Sequence, residues 1–562
     1  MKLSRRGALG LLAGAGQAAV TSRLLGAVIN SPANPVGRVA TSLERSLAKG
    51  PFEPTWESLK AHYEIPDWFR DAKFGIWAHW TAQCVPEQGD WYARRMYLQG
   101  DPAYCYHVKT YGHPSKVGFK DIDIMWKAER WDPEALMDLY QAAGAKYFMA
   151  LANHHDNFDN YNSKYHNWNS TRVGPMKDIV GTWSAICRRR GLRYGVSNHS
   201  AHAWHWFQTA YGYDAEGPLA GVRYDGFAKK SLAGLNPQEL YVGPNLVVPD
   251  GFTSAQKMLG WHNANDRVWD EFPPAENPDF TNTWFLRCRD LLDTYKPDML
   301  YFDDTGLPLG QTGVDITTHF YNSNIALHGG RNQAVVFGKE FVAQHRGAAA
   351  LDLERGRSND ILQLPWQTDT CIGDWHYSRE VFEQHKYKSA KTVIHLLADV
   401  VSKNGNLCLN IPLKGDGTID SDERQILADL AAWMPINGEA IFGTRPFTVY
   451  GEGPPDPVKT GNFNEGNGRP YTSEDMRFTV KDGRLYVIAL GWPADGKLKI
   501  KTFARGSKEL PGEISKVEML GVGEPCSFER SSNELVVKLP TQKPNDIAYG
   551  FRIAVSRLNM ST

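Results

Sequence analysis

Between about residues 70 and 440, short apolar runs alternate with amphipathic stretches of helical period. The runs Phe74–Trp80, Lys146–Asn153, Arg193–Ser200, Met299–Asp304, Ala334–Lys339, Ala350–Glu354 and Leu407–Pro412 predict strands. Helices are predicted over Pro133–Ala145 behind the cap Asp132, over Met176–Arg190 before Gly191, and over Thr283–Tyr295 with Pro297 beyond its end. Two more are predicted over Tyr387–Val401 and Asp422–Met434. Strands separated by helices imply a parallel sheet, and at this length a (β/α)8-type barrel over 51–443 fits best. A doubly wound sheet is the alternative, but no GxGxxG follows the first strand and no GxxxxGKS/T occurs. Past Thr444 the pattern becomes short alternating segments split by Gly, Asn and Asp, which predicts a C-terminal antiparallel β-sandwich over 444–562. It reads as a brace for the barrel, with sugar binding as the alternative; Gly451–Asn467 reads as a surface loop.

The first 50 residues have a different character. Ser4-Arg5-Arg6-Gly7 precedes a mildly apolar run from Ala8 to Val20, the pattern of a twin-arginine export signal. The run is too short and Gly-rich to read as a membrane span. The expectation is a leader and linker over 1–50, cleaved between about Ala19 and Ala40, and a periplasmic or secreted bacterial protein that is soluble once processed. An uncleaved anchor is the alternative. Seven scattered cysteines form no CxxC pair, so no structural zinc site is expected, and Cys84–Cys105 is the one disulfide candidate.

Charge narrows the function. Lys and Arg number 62 against 63 Asp and Glu, a balance that argues against nucleic-acid binding by bulk charge and against a polybasic membrane surface. Aromatic residues make up 12% of the chain, enough for a large aromatic core or for faces that stack on sugar rings.

Barrel active sites lie where strands end at the C-terminal face, and here the strands end in reactive groups. They are His79, His154-His155-Asp156, Asn198-His199, Asp303-Asp304 and Asp352-Leu353-Glu354-Arg355. Period-2 alternation puts Met299, Tyr301 and Asp303 on one face, so an inward face carries an aromatic beneath a carboxylate. Asp303 with Glu354 supplies the two carboxylates of glycoside hydrolysis, one nucleophile and one acid/base. His79, His154, His155 and Asp303 also form a conceivable metal set. Adjacent residues of a regular strand face opposite sides, however, and neutral histidines reading sugar hydroxyls fit better. No metal or cofactor is expected.

Longer strings surround these residues. WFRDAKFGIWAHW (Trp68–Trp80), DWYARRMY (Asp90–Tyr97), AGAKYFMALANHHDNF (Ala143–Phe158) and KPDMLYFD (Lys296–Asp303) resemble the motifs of glycoside hydrolase family 29, the α-L-fucosidases. Pro365-Trp366-Gln367, Trp375-His376-Tyr377, VSKNGNLCLNIP (Val401–Pro412) and NGEAIF (Asn437–Phe442) extend the resemblance. It implies a retaining, exo-acting α-L-fucosidase on fucosylated glycans, built as a barrel with a C-terminal β-sandwich. Asp303 matches the nucleophile; His79, His154 and His155 match sugar-binding histidines; Trp91 and Tyr301 match sugar-contacting aromatics. Asp90 stands where Glu is usual, Asn153 and Asn157 where the family carries Lys and Gly, and Gln367 where many members carry Glu. The acid/base is assigned to Glu354, with Glu340 as its rival. Asp90 and His199 are further substrate-binding candidates. A related sugar such as an α-L-galactoside, or sugar binding without catalysis, remains the alternative activity.

Overall fold

A computed structural model describes residues 45–225, 232, 234–270 and 278–558. Most of the expected leader lies outside the described residues. Ala48 and Phe52 are already tied to the barrel: Ala48 N donates to His319 Nδ1 (3.0 Å), and the Asn322 amide donates to the carbonyls of Ala48 (3.0 Å) and Phe52 (2.9 Å). No helix among the described residues is long and apolar enough to cross a membrane.

Eight parallel strands close into a barrel: β1 (Phe74–Ala78), β2 (Tyr147–Asn153), β3 (Arg193–Asn198), β4 (Met299–Thr305), β5 (Val335–Lys339), β6 (Ala350–Asp352), β7 (Trp366–Cys371) and β8 (Gly405–Asn410). β8 pairs back onto β1, with Phe74 opposite Leu407. The crossover helices start and stop where the sequence signals it. Asp132 caps Pro133–Ala142 through Ala135 N (3.0 Å), and Asp178 caps Ile179–Arg190 through Gly181 N (2.8 Å). Each such cap contributes about 1 kcal/mol. Gly191 ends the second helix at φ 70°, a left-handed conformation that costs glycine little.

Seven of the eight barrel strands follow from the apolar pattern. β7 does not, because its inward positions Gln367 and Asp369 are polar and buried. β6 stops at Asp352, two residues short of the expected end, which leaves Glu354 in the following loop.

The C-terminal domain pairs a five-stranded with a three-stranded antiparallel sheet. The first has the order β13 (Ile514–Met519), β16 (Tyr549–Val555), β11 (Arg484–Ala489), β10 (Met476–Lys481), β9 (Arg445–Glu452). The second has the order β12 (Lys497–Ile500), β15 (Leu535–Lys538), β14 (Phe528–Arg530). Leu485 and Val487 of β11 join the sandwich core, while Tyr486 and Ile488 join the barrel's core. That strand is apolar on both faces because both are covered. The same interface holds a buried ion cluster. Asp399, on the barrel helix Ala390–Ser402, accepts from Arg477 Nε of β10 (2.7 Å), Lys403 Nζ (2.8 Å) and Arg357 Nε (3.2 Å). All seven cysteines are free thiols, so the Cys84–Cys105 disulfide does not form.

Candidate active site

Met299 and Tyr301 of β4 point into the barrel, where they pack with Trp77, Tyr147, Met149 and Phe337. The same alternation puts Asp303 above them, at the C-terminal end. Asp303 Oδ2 lies 3.1 Å from His155 Nε2 and 3.4 Å from His199 Nδ1. Its Oδ1 accepts from Lys339 Nζ, the last residue of β5, and that ammonium also lies 2.5 Å from Glu354 Oε2. A single ammonium therefore bridges the two carboxylates. Two oxygens on one charged donor lie on the order of 5–6 Å apart at most. Asp303 and Glu354 are 8% exposed and Lys339 3%.

Sequence reasoning missed Lys339, although the signal was available. It ends an apolar strand in a charged residue, the pattern that singled out Asp303. Glu340, the rival acid/base, is exposed, and its Oε1 accepts from the Asn462 amide (2.8 Å).

The histidines converge on the same end. Ring centroids of His79 and His154 are 5.1 Å apart, those of His79 and His199 5.1 Å, and those of His154 and His155 4.4 Å. β2 ends at Asn153, so both His154 and His155 lie past the strand and face one site; alternation does not separate them. His154 Nδ1 is engaged by the Gln83 amide (2.9 Å) and His155 Nδ1 by the His199 carbonyl (2.8 Å). Both ring nitrogens of His79 and Nε2 of His199 are buried without a hydrogen bond. An unsatisfied buried polar atom costs roughly 1–3 kcal/mol, a cost that ligand hydroxyls would remove.

Burial holds His79 and His154 well below the ordinary imidazole value, with neighbouring histidine charges adding to the effect. Burial also lowers His155, to about 4, against the opposing pull of Asp303. Neutral rings can both donate and accept, which suits hydroxyl recognition. An NMR titration of the His155 ring should accordingly show an apparent pKa near 4; a value near 6.5 would contradict the burial argument.

Asp90 and Trp91 lie in the loop after β1, where Asp90 Oδ1 accepts from His376 N (2.8 Å). Trp91 adopts φ 65° and packs against Trp269, whose ring also lies 6.0 Å from His155. Trp269 and His376 complete this side of the site. His376 lay inside a recognised string without a role, and Trp269 carried no sequence signal. Tyr301 is fully buried beneath the site: its hydroxyl donates to Asp369 Oδ2 (2.8 Å) and its ring lies 4.8 Å from Trp77. Below it, burial raises both Asp352 and Asp369, and Gln367 links Asp352 (3.0 Å) to the Tyr147 hydroxyl (2.9 Å). Two departures from the family strings prove structural. Asn157 sits at φ 61°, where Gly or Asn is tolerated best. Asn153 donates to Asp159 (2.9 Å) and accepts from Ser200 N (3.2 Å).

Two groups have metal-ligand geometry among the described residues, His79–His154–His199 and His155–His199–Asp303, each with its ligand atoms within 4.8 Å of one another. His155 is already committed through Nδ1 to a carbonyl and through Nε2 to Asp303.

Comparison with known proteins matches both the barrel and the C-terminal domain. Residues 39–439 match the model of the alpha-L-fucosidase family, and residues 469–554 that of the alpha-L-fucosidase C-terminal domain. Tissue alpha-L-fucosidase of Rattus norvegicus is 27% identical over 515 residues, covering 90% of this chain and 92% of that protein. Plasma alpha-L-fucosidase of Homo sapiens is 27% identical over 504 residues, covering 87% and 88%. The crystal structure of Thermotoga maritima alpha-fucosidase in complex with fucose superposes with a TM-score of 0.65 at 26% identity, covering 90% of this chain and all of that one. A closed parallel barrel with an antiparallel C-terminal domain, a paired-carboxylate site at the strand ends and family matches over both domains lead to one conclusion: the chain belongs to the alpha-L-fucosidase family, glycoside hydrolase family 29.

Proposed function

We propose that this glycoside hydrolase is an exo-acting, retaining α-L-fucosidase that removes terminal α-L-fucosyl residues from fucosylated oligosaccharides, polysaccharides or glycoconjugates. We further place it in the periplasm or outside the cell after twin-arginine export. The observation that carries the mechanism is the Lys339 bridge. It brings the nearest Asp303 and Glu354 oxygens onto one ammonium, a closeness that favours the separation of a retaining pair, about 5–5.5 Å, over that of an inverting one, roughly 6.5–9.5 Å.

Asp303 attacks the anomeric carbon as Glu354 protonates the departing oxygen, which gives a covalent glycosyl-enzyme. Glu354 then takes a proton from water, which attacks the same carbon and releases Asp303. One carboxylate is charged in each state, Asp303 before its attack and Glu354 after it has given up its proton, and Lys339 balances that charge and holds Asp303 in place. His79, His154, His199 and Asp90 read the hydroxyls, and Trp91 with Trp269 offers an aromatic face.

The test is hydrolysis of aryl α-L-fucosides against aryl α-L-galactosides, with and without EDTA, following the first-formed anomer by NMR. The proposal expects EDTA-resistant turnover, preference for the fucoside and retention. An inverted first product would refute the paired-carboxylate assignment, preference for the galactoside would refute the sugar, and loss of activity with EDTA would point to metal hydrolysis. The exported protein should begin between about Ala19 and Ala40 by mass spectrometry of its N-terminus.

A further inference from the structure

The two matched family regions leave residues 440–468 uncovered, and part of that gap touches the site. Glu354 lies past the end of β6, and the next residue, Arg355, stands at φ 46°, a left-handed conformation that a non-glycine residue keeps only when its surroundings hold it. One side of this segment is held by β7: Leu353 N donates to the Gln367 carbonyl (2.9 Å) and Arg355 N to that of Asp369 (2.7 Å).

The other side is held by the loop between β9 and β10 of the C-terminal domain. Phe463 N donates to the Glu354 carbonyl (2.8 Å), Glu465 N to the Arg355 carbonyl (3.0 Å) and Gly461 N to the Arg357 carbonyl (3.3 Å). The loop thus occupies the place of a short antiparallel strand, with Arg357 bridged to Gly461. The Glu465 carboxylate fixes it there by accepting from Arg355 Nε (3.2 Å), Lys388 Nζ (2.7 Å) and Thr370 Oγ1 (2.7 Å). Burial works to raise this carboxyl, and the charges of Lys388 and Arg355 outweigh it and hold it below the ordinary value. Asn462 reaches Glu340, the neighbour of Lys339. Glu354 is therefore set from two ends, its carboxylate by Lys339 and its backbone by a loop of the other domain.

We propose that the loop Gly461–Glu465 is a positioning element for the general acid, with Glu465 its anchoring residue. Through this loop the C-terminal domain takes part in catalysis as well as bracing the barrel. The inference rests on the proposed role of Glu354.

A misplaced general acid has a signature that a loosened fold lacks. Leaving groups that depart as stable anions need little protonation, while sugar leaving groups need it fully. The experiment compares kcat/KM of the full-length enzyme on a dinitrophenyl α-L-fucoside and on a fucosylated disaccharide, for wild type, Glu354→Ala, Glu465→Gln and Thr370→Val. Glu465→Gln should lose about 10- to 100-fold on the disaccharide, part of the roughly 100- to 10,000-fold that general acid catalysis contributes. It should lose several-fold less on the dinitrophenyl substrate, with the change in kcat rather than KM. Thr370→Val, which removes the hydroxyl that donates to Glu465 and accepts from Lys388 (2.8 Å) but leaves both charges in place, should follow the same trend more weakly and serves if Glu465→Gln does not fold. An equal loss on both substrates, or no loss, overturns the positioning role. If Glu354→Ala itself lacks the leaving-group dependence, the acid assignment falls and takes the inference with it. If Glu354→Ala shows that dependence and the other two variants do not, the inference alone falls.

Discussion

Asp303→Asn should lower kcat/KM for an aryl α-L-fucoside by on the order of 10^4- to 10^6-fold, the scale seen when an enzyme loses its nucleophile. The amide is the same size and still accepts from Lys339, so the barrel should remain folded. What disappears is the negative oxygen facing His155 and His199, the one that the proposed mechanism uses to form the glycosyl-enzyme. Neutral histidines cannot replace it, and Glu354 sits on the other side of the shared ammonium. The effect should appear mainly in kcat, because the side chains proposed to read the hydroxyls are not themselves changed. Steady-state kinetics with a thermal melt as a folding control checks this; activity within tenfold of wild type would remove Asp303 from the mechanism.

Asp399→Asn should cost stability rather than chemistry, about 3–5 kcal/mol for removing one partner of a buried ion cluster. Arg477, Lys403 and Arg357 all point at this carboxylate, and all four side chains are buried. Without it, Arg477 and Lys403 face Arg357 in an interior that solvates cations poorly, although Arg357 keeps Asp456 as a partner (2.8 Å). The cluster joins β10 to the barrel helix Ala390–Ser402 and to the loop after Glu354, so its loss should loosen the domain interface first. Burial works to raise the Asp399 carboxyl, but the charges of Arg477, Lys403 and Arg357 outweigh it and hold it well below the ordinary carboxylate value. The folded value is thus depressed relative to the unfolded value of about 3.9. The stabilisation is present above that pH and is lost as pH falls toward the folded value. Wild type should therefore lose stability steeply below about pH 4, and Asp399→Asn, destabilised at neutral pH, should show a shallower decline there. Denaturant melts across pH 2.5–7 measure both, and an unchanged melt at neutral pH would contradict the account.

Much of the catalytic layout was legible because barrel physics is repetitive. Alternation along Met299–Asp303 placed an aromatic under a carboxylate, and the structure has Tyr301 buried directly beneath Asp303's strand end. The role expected of Tyr301 was a sugar contact. Its hydroxyl is spent on Asp369 instead, a partner invisible in sequence because β7 does not look like a strand. Hydrophobic pattern finds strands that face apolar interiors; Gln367 and Asp369 face a polar one, packed around Lys339 and the buried Asp352. The adjacency argument that set His154 against His155 failed for a local reason. It holds inside a strand, and β2 ends one residue earlier. Lys339 is not distinguished in the sequence because a lone lysine at a strand end is most often a solvated surface charge, and only the fold buries it between two carboxylates. The stretch Gly451–Asn467, which contains the loop Gly461–Glu465, reads as surface because it is rich in Gly, Pro and Asn, and only the fold brings Phe463 N to the carbonyl of Glu354.

The most direct test of the central claim is to trap the glycosyl-enzyme. A 2-deoxy-2-fluoro-L-fucosyl donor with a good leaving group slows both steps but turnover of the intermediate most, so the covalent species accumulates. Peptide mass mapping should then find a single fluorofucosyl adduct on the peptide containing Asp303, at that residue. An adduct on any other residue, or time-dependent product release with inverted configuration and no adduct at all, would contradict a retaining mechanism through Asp303.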